Sequence, residues 1–223
     1  MYQNPYVKLK PSTHQPYTEI FLIRHCHPNY ALEHKVGGYN MPLSTTGRKQ
    51  RKFLTKKLLT MNIDKIYASG LLRAQETAAV YARLANKKII IDKDLDEIDW
   101  TNWYSLKYFN MSEETREKKL KNHLKLDREL DKIQTVVRRS LADLFRSNRG
   151  RRLAIFSHGN FIKALITGVL NADVIGFLSL EIFQSSISKL IIDQDGYIKI
   201  AYINDVSHLP LPPTEDLFIT MSD

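Results

Sequence analysis

Residues 20–25 read Ile-Phe-Leu-Ile-Arg-His, four apolar side chains in unbroken succession and then two polar ones that carry or accept protons. A short continuous apolar run of this kind is the pattern of a strand buried on both faces, and such strands belong to sheets covered by helices on both sides. Working outward, comparable runs recur at residues 65–69 (KIYAS), 87–92 (KKIIID) and 153–160 (LAIFSHGN). Between them lie segments of helical periodicity. Residues 44–61 have Ser44, Thr45 or Thr46 available as N-cap and Phe53, Leu54, Leu58 and Leu59 for a buried side, and residues 70–85 and 161–170 repeat small and apolar residues at helical steps. Near the end, KLIID (189–193) and YIKIAYI (197–203) read as a hairpin, with Asp195 and Gly196 supplying the turn. Strands alternating with helices predict an α/β three-layer sandwich, a mostly parallel sheet with helices on both faces, with ligands at the C-terminal ends of its strands.

The organisation expected is one domain over residues 18–210. Residues 1–17, with three prolines and no periodicity, read as an extended N-terminal arm, and 211–223 as a C-terminal tail. A helical insertion at about 104–147 is highly charged, with leucine and isoleucine at three- and four-residue steps. At 223 residues and 43% hydrophobic, the chain is long enough to bury one substantial core. No stretch approaches the roughly eighteen consecutive apolar residues of a membrane span, the N-terminus lacks a signal-peptide core, and the single Cys26 cannot form an internal disulfide, so a cytoplasmic location is expected. The formal charge of +9 favours acidic partners. Its densest patch, Arg48, Lys49, Arg51, Lys52, Lys56 and Lys57, reads as the solvated face of an outer helix. Without interleaved aromatics it does not point to nucleic acid.

Three strand ends deliver Arg24 with His25, Ser69 with Arg73, and Ser157 with His158. In an open α/β sheet these ends share one crevice, so two arginines and two histidines distant in sequence can surround one small anion. Guanidinium forks suit a phosphate dianion, and the helix start after His158 adds N–H groups. His27 would share a strand face with His25 if the strand continued, as in a metal pair, but Pro28 follows immediately.

In order along the chain, LIRH (22–25), MPLSTTG (41–47), IYASGLLRAQETA (66–78), LDEIDW (95–100), IFSHGN (155–160) and NDVSHL (204–209) resemble the blocks of the phosphoglycerate-mutase-like branch of the histidine phosphatases. The resemblance implies His25 as a nucleophile that becomes a phosphohistidine and is hydrolysed. It makes Glu97 the acid, assigns Arg24, Arg73, His158 and Gly159 to phosphate binding, and implies no cofactor and no metal. The implied activity is a metal-independent phosphatase acting on phosphate monoesters. The alternatives are a phosphoglycerate-mutase-type phosphotransferase and a catalytically impaired module that binds phosphorylated ligands. The partner implied is a small phosphorylated substrate or a phosphoprotein, with no membrane and no nucleic acid, and a homodimer is left open. The chain departs from the pattern at Cys26, where the family usually has glycine, and at Pro28 and Ala31, where mutases of the branch carry a hydroxyl residue and an asparagine. It departs again at residues 101–105, which follow the acid motif. These departures count against mutase activity.

Overall fold

A computed structural model describes residues 16–99, 112–121 and 123–210. In chain order the elements are β1 (Thr18–Arg24), a 3-10 turn (Tyr30–Leu32), α1 (Glu33–Val36), α2 (Thr45–Leu59), β2 (Lys65–Ala68), α3 (Leu72–Leu84), β3 (Ile89–Ile91) and a second 3-10 turn (Lys93–Leu95). There follow α4 (Glu113–Leu120), α5 (His123–Ser147), β4 (Arg152–Ser157), α6 (Gly159–Val169), α7 (Val174–Ser179), β5 (Ile187–Ile192) and β6 (Ile198–Asp205). The six strands form one sheet in the order β3-β2-β4-β1-β5-β6. β3, β2, β4 and β1 run parallel, and β5 and β6 are added antiparallel as the expected hairpin. Its turn carries Gly196 at φ +92°, a conformation glycine adopts without strain, and the Asp193 carboxylate accepts from the N–H of Asp195 and of Tyr197.

The apolar run of β1 is divided between two cores. Ile20 and Leu22 point into one with Leu153, Ile155 and Leu190, closed by α5, α6 and α7. Phe21 and Ile23 point into the other with Ile66, Ala154 and Phe156, closed by α2 and α3. Alternate side chains of a central strand thus serve opposite layers, which is why the run is continuous rather than alternating. The C-terminal half of the expected insertion contributes to the first core, through Leu130, Val137, Leu141 and Leu144 of α5. Its residues 104–111, like the arm over 1–15 and the tail over 211–223, lie outside the described residues. Among the described residues no helix is long and apolar enough to cross a membrane.

In α2 the buried stripe is Gly47, Leu54, Thr55 and Leu58, whereas Leu59 is exposed and Phe53 half-buried, a narrower face than the sequence suggested. The two leucines are one residue apart and so about 100° apart around the axis, and the stripe is centred on Leu54 and Leu58. Ser44 is the N-cap, its hydroxyl accepting from Gly47 N at 3.0 Å. Gly47 lies against the loop after β1: a Cβ there would stand 2.0 Å from the His27 carbonyl oxygen. In an ordinary helix Gly→Ala stabilises by about 1 kcal/mol. Here we expect Gly47→Ala to destabilise instead, by about 3 kcal/mol, which for a domain of this size lowers Tm by roughly 6–12 °C. Thermal denaturation followed by circular dichroism measures it, and an unchanged or raised Tm would show that the loop moves aside without cost.

Candidate active site

β2, β4 and β1 are neighbours in the sheet, so their C-terminal ends lie side by side. Arg24 is in register with Ser157, His25 N donates to Ser157 O at 2.9 Å, and Ser69 N donates to Phe156 O at 3.0 Å. Arg73 arrives from the first turn of α3, two residues after the Leu71 N-cap. The geometry brings His25, Arg73, His158 and Ser69 together at one point above the sheet.

His25 is almost fully buried, and its Nδ1 lies 2.8 Å from the carbonyl oxygen of Cys26. A carbonyl only accepts, so Nδ1 carries the proton and the lone pair sits on Nε2. The Nε–H of Arg73 donates to that lone pair at 3.2 Å, and the same guanidinium donates through Nη1 to Gly38 O at 2.7 Å. The His158 ring centroid is 5.1 Å from that of His25, and its Nε2 shares a 2.6 Å hydrogen bond with Ser69 Oγ. Burial, reinforced by the neighbouring His158 ring and the charges of Arg24 and Arg73, holds the His25 imidazole well below its ordinary value; burial and the two arginines do the same to His158. Both rings are therefore neutral at pH 7. The Nε2 lone pair of His25 thus carries no proton, and positive charge in the site resides on the arginines.

Arg24 lies across the start of α6, its guanidinium donating through Nη1 to Ile182 O and standing 3.9 Å from the Glu181 carboxylate. The absence of a side chain at Gly159 permits this, since a Cβ there would be 3.3 Å from Arg24 Cζ and Nε. Arg24 Nε and His158 Nδ1 are buried with no hydrogen-bond partner among the described residues. Buried donors of that kind are costly unless something satisfies them, and an oxoanion does so.

The start of α6 is organised differently from the sequence expectation. Its Asn160 and Phe161 N–H groups donate to Glu97 Oε1 at 3.1 and 3.3 Å, and Ile98 N adds a third bond at 3.0 Å. The helix terminus thus orients the carboxyl of Glu97 through Oε1. Burial raises the Glu97 carboxyl above its usual range, partly opposed by Arg24, these backbone bonds and Arg73. The acidic neighbours have other surroundings: Asp96 accepts from Gly70 N at 2.6 Å and so shapes the turn before Arg73, while Asp99 is exposed.

His27 does not extend the face of His25. β1 ends at Arg24, and His27 Nδ1 instead lies 2.8 Å from Ser44 Oγ at the α2 cap. Among the described residues no three His, Cys, Asp or Glu side chains gather as metal ligands. Sequence reasoning did not single out Thr77, whose hydroxyl accepts from Cys26 N at 3.0 Å and donates to Arg73 O at 2.7 Å. It also missed Lys163 of α6, buried with its ammonium 4.8 Å from the Phe177 ring centroid and pushed down to about 7 by burial. A lysine within a helical run reads as solvated face, and only the tertiary packing reveals otherwise.

Two arginines, two neutral imidazoles and a buried carboxyl converging on parallel strand ends define an oxoanion site of the kind suited to phosphoryl groups. The chain belongs to the histidine phosphatase superfamily (branch 1), whose family model matches residues 20–206. It is similar to the probable phosphoglycerate mutase GpmB of Enterobacter sp. (strain 638), with 24% identity over 211 residues, covering 89% of this chain and 98% of that protein. The GpmB of Klebsiella pneumoniae is similar at 23% identity over the same shares. In fold it matches a phosphoserine phosphatase of Entamoeba histolytica crystallised with phosphoserine, at TM-score 0.68 and 22% identity, over 86% of this chain and 99% of that one. A mycobacterial glucosyl-3-phosphoglycerate phosphatase matches at TM-score 0.61 and 19% identity, over 83% and 98% of the two chains.

Proposed function

We propose that this chain is a metal-independent phosphomonoesterase that works through a phosphohistidine on His25. The observation that carries the reading is the fixed tautomer: Cys26 O holds the proton on Nδ1, and the lone pair of Nε2 faces Arg73. An incoming phosphate dianion takes over the Arg73 Nε–H that now rests on His25, and it is met by Arg24 and His158. Nε2 then attacks phosphorus in line, the P–O bond to the leaving group breaks, and Glu97 gives its proton to the departing oxygen. In the second half water attacks the phosphohistidine, Glu97 takes the water proton, the N–P bond breaks, and inorganic phosphate leaves. The arginines supply the positive charge that a metal ion contributes in other phosphoryl-transfer sites.

The same reading makes a small phosphorylated substrate or a phosphoprotein the partner and the cytoplasm the place of action. A second reading, phosphotransfer to another hydroxyl in the manner of a mutase, is favoured by the names of the GpmB relatives. It is disfavoured by Pro28 and Ala31 after the nucleophile. We expect hydrolysis of an aryl phosphate such as p-nitrophenyl phosphate without added metal and at an undiminished rate in excess EDTA, with inorganic phosphate released one for one with p-nitrophenol. Loss of activity in the chelator would move the mechanism to another class. Isomerisation of a phosphoglycerate faster than phosphate release would select the mutase, and phosphate binding with no turnover would leave a binding module.

A further inference from the structure

The turn over residues 182–186 crosses the end of β1. Ser185 lies in this turn, fully buried and at φ +69°, a left-handed conformation that serine seldom adopts and that costs on the order of 1–3 kcal/mol unless its surroundings hold it. Its backbone contacts are at the nucleophile. Ser185 N donates to both Arg24 O at 3.1 Å and His25 O at 3.2 Å, Arg24 N donates to Ser186 O at 3.1 Å, and the Arg24 guanidinium rests on Ile182 O. One turn therefore fixes the backbone of the Arg24–His25 pair and the side chain of Arg24.

The turn is in its own right anchored from the end of β6. Asn204, also left-handed at φ +59°, accepts from Phe183 N through Oδ1 at 2.6 Å, and His208 Nε2 shares a 3.0 Å hydrogen bond with Ser185 Oγ. His208 is half-buried, with Asp205 and Lys57 as its charged neighbours. One residue past the nucleophile, Cys26 N donates to Thr77 Oγ1 at 3.0 Å. Burial pushes the Cys26 thiol up to about 11, so it stays protonated and is not a reactive thiolate. Thr77 in turn donates to the backbone carbonyl of Arg73. Ser185 thus ties His208 to the backbone of Arg24 and His25, and from there the Cys26 amide and Thr77 continue to Arg73, whose geometry relative to His25 sets up attack.

We propose that His208 and Ser185 are positioning residues for the reaction: a latch from the end of β6 that sets the angle of the His25 imidazole and, through Cys26 and Thr77, the seat of Arg73. Neither side chain needs to touch substrate for this. The inference rests on His25 being the reacting group.

The test compares wild type with S185A, H208A, the double variant and H208Q, using p-nitrophenyl phosphate for kcat and KM. Because small displacements of a reacting group lower rates steeply, each single alanine variant is expected to reduce kcat by about tenfold with KM within about twofold. The double variant is expected to be no worse than either single one, since both break the same link. H208Q, which restores a hydrogen-bonding group to Ser185, is expected to recover most of the loss. Losses that multiply in the double variant, or a lowered Tm with wild-type kcat, would reduce the segment to scaffold and overturn the proposal. A separate readout holds even if wild type has no phosphatase activity: the imidazole 15N resonances of His25, recorded with and without inorganic phosphate, are expected to shift in H208A and return in H208Q. Resonances unmoved by H208A overturn the latch whatever the fate of the phosphatase reading.

Discussion

His25→Ala is expected to abolish turnover, with kcat falling on the order of 10⁴-fold or more, because in the proposed mechanism the residue forms the bond to phosphorus and no neighbour can replace it. His158 is the nearest imidazole, 5.1 Å away between ring centroids, but its Nε2 is engaged by Ser69. Rapid acid-free quenching of wild type during turnover is expected to trap an acid-labile, base-stable phosphoramidate that maps to residue 25, and the variant is expected to give none. Affinity behaves differently. Arg24, Arg73 and His158 remain, and removing the imidazole frees the Arg73 Nε–H that it now accepts. Phosphate affinity is therefore expected to change by less than about tenfold while kcat collapses, the division that separates a bond-forming residue from one that binds ground and transition states alike. Turnover retained in His25→Ala would refute the phosphohistidine route.

Much of this site was legible because the sheet does the assembling. The ends of three apolar runs at Arg24, Ser69 and Ser157 had to lie side by side once the strands were parallel, and the register of β1 on β4 places Arg24 opposite Ser157. The six motif blocks then narrowed the chemistry. What stayed hidden depends on where loops travel after leaving their elements. That Glu97 would be oriented by the start of α6 could not be read from the acidic string around it, because the partner N–H groups lie more than sixty residues away and carry no side-chain signature. The left-handed turn at Ser185 is equally silent: a serine seldom adopts positive φ, so nothing in QSSIS announces one. Leu59 failed for a different reason. Apolar content at a helix end reports the neighbourhood of the core, but the helix rotation decides which leucine enters it.

Glu97→Gln is expected to separate the two halves of the reaction, and its effect depends on the leaving group. An alkyl alkoxide cannot depart without a proton, whereas a nitrophenolate is stable without one. Phosphorylation of His25 by an alkyl phosphate is therefore expected to slow on the order of 10²–10⁴-fold in the variant, and by an aryl phosphate less than about tenfold. Stopped-flow release of nitrophenol reads the aryl step directly. The second half needs Glu97 as base toward water, so with the aryl substrate the variant is expected to show a burst of nitrophenol followed by slow turnover, with phosphohistidine accumulating. The pH profile supplies an independent sign. Burial raises the Glu97 carboxyl, and a phosphate dianion beside it raises it further, so the acid keeps its proton above the ordinary carboxylate range. Wild-type phosphorylation by an alkyl phosphate then falls as pH rises through that raised value, and Glu97→Gln, having no proton to lose, lacks this limb. Gln also preserves the carbonyl that accepts from Ile98, Asn160 and Phe161, so the start of α6 is expected to stay capped and the loss to be chemical rather than structural. Equal slowing of both substrates in the phosphorylation step would place the acid elsewhere. Asp96, whose Oδ1 accepts from Gly70 N, and the exposed Asp99 would then be the residues to test.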